Sequence, residues 1–483
     1  MFSIREIITN KILIYLFSRY GTYAVQFIVS LGIAAKLGPY YFGIYGFIVL
    51  ILNYFAQINF GIQHSLNVLI VHNKNEKEIC DNYIGNSLWL YFLLSIIIVL
   101  FYAVIVIFDI EISQDYPIKK YLWLIVSVAI LTYFFSIMVT VLRVRNKIHQ
   151  LSIVQSLSVI FNLLAVCLFR AETLIYTLVL GQLVSCLLSV FITWKAGVLP
   201  NFRNVKIQIK TQAEIIRKGI LLFVYNSCFY FILISVRSII SGNYSVESFG
   251  EFTFSFTIAH AVLLLLESLM TVIFPKIIDL LSSDNKEKTE QTLEVIRITY
   301  VSASHFLIYV AMLFFPLLTF LLPKYANALT SMNLIALAVL MNTNSCAYAS
   351  LLIAKNKEKT SAVISATALL LNIVLALILV KIMNVGFSYV IIATLLTYLY
   401  FSYMVTWQGK KVIGTYNFRD TIKNFFPIRL FIPYLTAFVI SVFSYEYLIF
   451  LPILLYILFN WRDLVAIKQL GLKLIHNPNM SDV

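Results

Sequence analysis

The sequence predicts an all-α polytopic membrane protein. It should have about 14 transmembrane helices: two parallel six-helix repeats around a central cavity, followed by two further C-terminal helices. Three observations lead there. Apolar segments long enough to cross a bilayer fill nearly all of the 483 residues. A short motif recurs at a constant offset. Basic residues are divided very unequally between alternate connecting segments.

Composition sets the solvent. The chain is 61% hydrophobic and only 12% charged, whereas a soluble chain carries about twice that charge. A run of about 17–25 apolar residues spans the hydrocarbon core as a helix, and backbone groups in lipid must be satisfied within the segment. Such runs lie at residues 13–36, 42–62, 84–108, 121–142, 151–169, 174–194, 219–240, 249–274, 298–322, 333–353, 361–383, 386–407, 429–443 and 445–461. They are too long and too uniformly apolar for the alternating strands of an outer-membrane barrel. The last two are short and nearly touch, as in a tight hairpin or one broken region. The first continues to about residue 36, too long for a signal-peptide core, and is expected to be retained.

The net charge of +14 is explained by topology rather than by nucleic acid, which is not expected as a partner. With the N-terminus inside, 28 of the 36 Lys and Arg fall in cytoplasmic segments or at their rims. Six lie outside: Lys36, Lys119, Lys120, Arg170, Lys324 and Lys381. Arg19 and Arg237 lie within spans. This positive-inside asymmetry places both termini in the cytoplasm. The five cysteines form no CxxC, so neither a disulfide framework nor a zinc site is indicated.

An internal repeat organises the spans. Phe42-Gly43-Ile44-Tyr45-Gly46-Phe47 follows the first outside turn, and Phe249-Gly250-Glu251-Phe252-Thr253-Phe254 follows the turn after span seven. The offset is 207 residues, Gly43 to Gly250. Six spans separate the copies, so they share one orientation. This is a parallel repeat about an axis along the membrane normal, an architecture of transporters. The expected divisions are an N-terminal half at 1–194, a basic cytoplasmic linker at 195–218, a second half at 219–407, helices 13 and 14 with their preceding loop at 408–461, and a cytoplasmic tail at 462–483. The linker is expected to include a surface helix. The tail holds an amphipathic run that either lies on the inner leaflet or stays solvated.

Ala34-Ala35-Lys36-Leu37-Gly38-Pro39-Tyr40-Tyr41-Phe42-Gly43-Ile44-Tyr45 resembles the opening motif of polysaccharide-biosynthesis flippases of the multidrug/oligosaccharidyl-lipid/polysaccharide exporter superfamily. The agreement continues in order through Phe60-Gly61-Ile62-Gln63, Val272-Ile273-Phe274-Pro275-Lys276, Leu322-Pro323-Lys324-Tyr325 and Leu370-Leu371-Asn372. It covers roughly residues 10 to 410. Each motif is three to six common residues, and order and spacing carry the likeness. Within the superfamily the chain most resembles the flippases of O-antigen and capsule repeat units. The resemblance implies passage of an undecaprenyl-diphosphate-linked oligosaccharide from the inner to the outer leaflet of a bacterial inner membrane. It implies no cofactor, membrane lipid and the lipid-linked glycan as partners, and a polysaccharide polymerase and a chain-length regulator as associates. One departure stands out. Many members carry an Asp-Arg pair near the outer end of span seven, where this chain has Val236-Arg237.

Ionisable groups within spans are costly and usually face a cavity or one another. Here they are Arg19, Arg237, His260, Glu267 and His305. His260 and Glu267 are seven apart and share a helix face. The repeat offset carries His260 to Asn53, and Asn53, Gln57 and His64 form a stripe at i, i+4 and i+11. Arg19, Asn53, Gln57, Arg237, His260, Glu267 and His305 are therefore the candidate substrate-cavity residues. Arginine offers bidentate phosphate contacts, and Asn, Gln and His offer hydrogen bonds to sugar. Glu267 is the only carboxylate deep in a span and a candidate proton or sodium site. The blander readings are snorkelling for both arginines, a pairing of Arg237 with Glu251, and interhelical packing for the histidines and amides.

A cation-coupled multidrug antiporter of the same superfamily would want buried acid in spans one to six, and there is none. A lipid II flippase shares the fold, and no motif selects it. A membrane polymerase or ligase would need a large outside loop; the longest runs roughly from Asp109 to Lys120. No GxGxxG, Walker A or HExxH run occurs, so an enzyme or an ATP-driven pump is not expected.

Overall fold

The computed structural model describes residues 11–73, 76–283, 285–414 and 417–476, with side chains described except at 11–19, 204, 222, 263, 265–276, 279, 423–424 and 470–476. The described residues are helical almost throughout. Eleven helices among them are long and apolar enough to cross a membrane, and the chain is a multi-pass membrane protein. The sequence reading of fourteen differs in three places. The helix Tyr20–Gln57 holds two of its spans, Val246–Ser282 is a continuous 37-residue helix that is not among the eleven because its side chains are described only in part, and Ile428–Val442 has only 15 residues.

The chain divides into two compact units: residues up to Ser227 together with Tyr244–Gly250, and Cys228–Asn243 together with Glu251 onward. The first unit opens with α1 (Lys11–Gln57), which is two arms joined at Gly38 (φ 67°, ψ 173°). A side chain would resist that left-handed φ, and Pro39 then begins the second arm, where a missing N–H costs nothing. The break predicted between spans one and two is thus a kink rather than a loop. A second break at Phe60 and Gly61, both at positive φ, separates α1 from α2 (Ile62–His72). His64 consequently sits on a different helix from Asn53 and Gln57, and the predicted i, i+4, i+11 stripe is not one face.

The unit continues with α3 (Lys77–Ile107), α4 (Leu122–Val144), α5 (Ile148–Leu168), α6 (Ala171–Lys195) and the first part of α7 (Ile209–Ser241). Tyr91 and Tyr133 stack at 5.1 Å between α3 and α4, and the Tyr133 hydroxyl donates to the Phe55 carbonyl at 2.6 Å. Within the expected linker, the stretch from Ile209 to Lys218 is helical and largely exposed. Residues 201–208 lie along the start of α3, and α7 begins already at Ile209. Asn86 donates to the Lys206 carbonyl at 3.0 Å and accepts from the Gln208 N–H at 3.1 Å. Asn82 accepts from the Lys206 N–H at 3.0 Å. Asp81, wholly buried, accepts from the Asn201 N–H at 3.2 Å and pairs with Arg145 at 2.7 Å.

The two copies of the repeat motif meet inside this same unit, because the head of α8 (Val246–Ser282) belongs to it. A Cβ on Gly43 would strike the Val246 carbonyl, and one on Gly250 would strike the Pro39 carbonyl. Pro39 and Val246 stand 207 residues apart, as Gly43 and Gly250 do. The contact is reciprocal, as a two-fold relation between the repeats requires. Phe47, Tyr116 and Phe249 close around it, with the Phe47 and Tyr116 rings stacked at 4.2 Å.

The second unit contains the rest of α7 and α8, then α9 (Lys286–Ile296), a π-helical turn at Arg297–Ser302, α10 (Ala303–Leu321), α11 (Ala328–Thr343), α12 (Cys346–Ala354), α13 (Glu358–Leu377), α14 (Ile392–Ile413), α15 (Phe418–Phe425), α16 (Ile428–Val442) and α17 (Leu451–His476). Its core helix is α11, in which nearly every residue is buried. Small hydroxyls bring backbones close there: Ser255 of α8 donates to the Ala328 carbonyl at 2.9 Å and lies 2.7 Å from the Ser331 hydroxyl. The last two helices form a hairpin. α17 runs past the predicted end of span fourteen through a kink at Asn460, so the first part of the expected tail is helical.

Candidate functional site

The structure gathers part of the predicted set in the second unit. Arg237 lies on the last turns of α7 and is 2% exposed. Its guanidinium stands over the Phe256 ring of α8, 4.8 Å from the centroid. His260, one turn further along α8, packs against Phe256 edge-to-face, with ring centroids 5.6 Å apart. Its Nδ1 is buried without a hydrogen-bond partner. A cation in a low-dielectric setting gains from an aromatic face, so Phe256 holds the guanidinium plane in place and itself packs against the His260 ring.

α7 is fixed at this depth by α13. The Asn372 amide donates to the Ile232 carbonyl at 2.7 Å and to the Ser235 hydroxyl at 2.9 Å. Val236, standing where many resembling chains carry an acid, is completely buried. Arg237 is also too buried to snorkel. Glu251 is buried as well and accepts from the Asn327 amide at 3.3 Å.

In the first unit Asn53 and Gln57 lie one turn apart on the second arm of α1, both half-buried. The Gln57 side-chain oxygen accepts from the Ser227 hydroxyl of α7 at 3.3 Å. His305 stands elsewhere. It is fully buried on α10 with Nδ1 3.0 Å from the Tyr309 hydroxyl, and the rings of Phe426 and Tyr434 pack around it. Its Nε2 is buried without a hydrogen-bond partner. The side chains of Arg19 and Glu267 lie outside the described residues. Phe256 and Ser227 were missed in the sequence. The available signal for Phe256 was its place one turn before His260, on the face already singled out. No group of three or more His, Cys, Asp or Glu able to hold a metal occurs among the described residues.

A model of the polysaccharide biosynthesis protein family matches residues 8–281, more than half of the chain. The chain belongs to that family. No curated protein sequence matches it. Solved structures match over most of its length. The family member is similar to a multidrug resistance MATE family transporter of the MOP superfamily in an inward-facing conformation, with TM-score 0.68 and 14% identity over 83% of this chain and 98% of the other. An outward-facing MATE structure matches with TM-score 0.60 and 14% identity, over 84% and 95%. A MOP superfamily transporter from Pyrococcus furiosus, described by the reverse polarity of its binding pocket, matches with TM-score 0.62 and 14% identity, over 84% and 95%. This family member therefore has the MOP transporter fold.

Proposed function

We propose that the chain is a flippase that moves an undecaprenyl-diphosphate-linked oligosaccharide repeat unit, of O-antigen or capsule, from the cytoplasmic to the periplasmic leaflet of a bacterial inner membrane by alternating access. The observation that carries this reading is Arg237: a buried guanidinium within an apolar helix, seated on Phe256 beside His260. A cation inside a span commonly marks a substrate or ion path, and a diphosphate is a cargo that a guanidinium can grip through charge-assisted, bidentate hydrogen bonds. The family match ties the chain to polysaccharide synthesis. Reverse pocket polarity is taken to suggest a different function in the Pyrococcus furiosus protein, and the sign of the charge supports an anionic rather than a cationic cargo here. Arg19, Asn53, Gln57 and Glu267 complete the proposed cargo path, Glu267 being the candidate site for a coupling proton or sodium ion. Polysaccharide polymerase and chain-length regulator remain the proposed associates.

The test is deletion of the gene, followed by leaflet-resolved measurement of lipid-linked repeat units. Cytoplasmic-leaflet accumulation with loss of surface polysaccharide, restored by wild type but at least tenfold less well by Arg237→Ala, supports the reading. Accumulation of lipid II instead assigns the chain to peptidoglycan. Unchanged repeat-unit distribution with altered drug sensitivity assigns it to drug antiport and overturns the proposal.

A further inference from the structure

The second unit holds a cavity of about 220 Å³ that the transport reading does not use. It lies at the end of the spans that carries the excess of basic residues, where α9, the π-helical turn, α12, α14 and the α15–α16 junction come together. Its volume is far above the roughly 15 Å³ that one water requires. Its wall carries both signs of charge: Glu290 and Glu294 from α9, Arg297 from the π-helical turn, and Lys410 from α14. Arg297 is paired with Glu294, its Nε donating at 2.8 Å. The half-buried Lys410 ammonium and the exposed Glu290 carboxylate make no ion pair among the described residues. Buried Tyr348 and Asn344 also line the cavity. π-helical turns are often found at functional sites, and this one supplies Arg297 and Val301 to the wall.

The surroundings are interfacial. α15 exposes Phe418 and Ile422 beside Arg419 and Asp420, the pattern of a helix lying in the head-group layer. One turn of α14 places Lys411 over the Trp407 ring at 4.2 Å, and tryptophan and basic residues mark the membrane–water boundary.

We propose that this cavity binds the head group of a zwitterionic phospholipid bearing a primary amine, with its phosphate on Lys410 and Arg297 and its ammonium on Glu290 and Glu294. An anionic lipid without an amine leaves the two carboxylates opposed to it. A trimethylated amine has no N–H to donate to them. The pocket thus selects both charges of phosphoethanolamine.

Native mass spectrometry of the purified full chain, equilibrated with equal phosphatidylethanolamine, phosphatidylglycerol and phosphatidylcholine, tests this. Preferential retention of phosphatidylethanolamine is expected. Lys410→Ala should lower total phospholipid retention at least threefold. Glu290→Gln, at an exposed position with no packing to lose, should abolish the preference over phosphatidylcholine while leaving total retention intact. Equal retention of the three lipids, or a preference unchanged in Glu290→Gln, overturns the proposal.

Discussion

Gly43 and Gly250 stand in reciprocal contact, each packed where a methyl group would strike the carbonyl one turn before the other glycine. The repeat offset relates the two glycines, and it also relates the two carbonyls, Pro39 and Val246. The Phe-Gly motif is therefore more than a turn signal. It is the place where the two repeats approach backbone to backbone, and the Cβ is what both sides give up to allow it.

Substitution there should be costly in a way that ordinary helix glycines are not. Gly43→Ala and Gly250→Ala each place a methyl group against backbone, which cannot rotate aside, and overpacking of this kind costs about 2–3 kcal/mol. Gly21→Ala is the control, since nothing lies within 4 Å of its added methyl and alanine favours helix over glycine by about 0.5–1 kcal/mol. Thermal unfolding in detergent should show both motif variants destabilised and Gly21→Ala unchanged or stabilised. Equal behaviour of all three would show that the close approach is dispensable.

Much of this was legible in the residues. Lipid cannot hydrogen-bond the backbone, so spans announce themselves as apolar runs, and Gly38-Pro39 announced the first break. The repeat was visible because Phe-Gly recurs. Its reciprocity was not, because which glycine faces which carbonyl is a long-range fact. The linker shows the same limit. Asp81, Asn82 and Asn86 look like ordinary polar residues before a span, and only the fold lays 201–208 along them. Phe256 was hidden among aromatics that usually face lipid, and the rings of Phe426 and Tyr434 that pack against His305 come from a part of the chain more than a hundred residues away.

The Arg237–Phe256 pair predicts a graded series. Phe256→Leu keeps the apolar volume and removes the aromatic face, so it should destabilise the protein by up to about 2 kcal/mol, the upper range for a desolvated cation–π contact. Arg237→Lys keeps the charge and loses the planar fork. If Arg237 grips a diphosphate, Arg237→Lys should transport poorly while unfolding near the wild-type temperature. A lysine variant with full transport would make the position a charge requirement only.

His64 predicts a pH dependence. Burial lowers its pKa below the ordinary 6.5, and the Arg143 guanidinium acts in the same direction. As pH falls through 6.5 the unfolded chain takes up the proton first. The folded state resists it, so stability falls from that point toward the lowered folded pKa. Above 6.5 the group contributes no slope. Stepped-pH unfolding between about pH 7 and pH 5 should therefore show a shallower acid loss in His64→Gln than in wild type. Parallel curves would place the acid sensitivity elsewhere.

The linker clamp predicts an asymmetry between its two charges. Asp81 is wholly buried, while the Arg145 side chain keeps about one-fifth exposure. Arg145→Ala strands a carboxylate away from water with the Asn201 N–H still donating to Oδ2, and an uncompensated buried charge costs roughly 3 kcal/mol or more. Asp81→Asn removes the charge but keeps a side-chain oxygen for that N–H, and Arg145 can turn toward solvent. It should cost only about 1–2 kcal/mol. The double variant should then be less damaged than Arg145→Ala alone, because the stranded charge is gone. A double-mutant cycle on unfolding decides this, and strictly additive losses would mean that Arg145 holds the linker by packing rather than by charge.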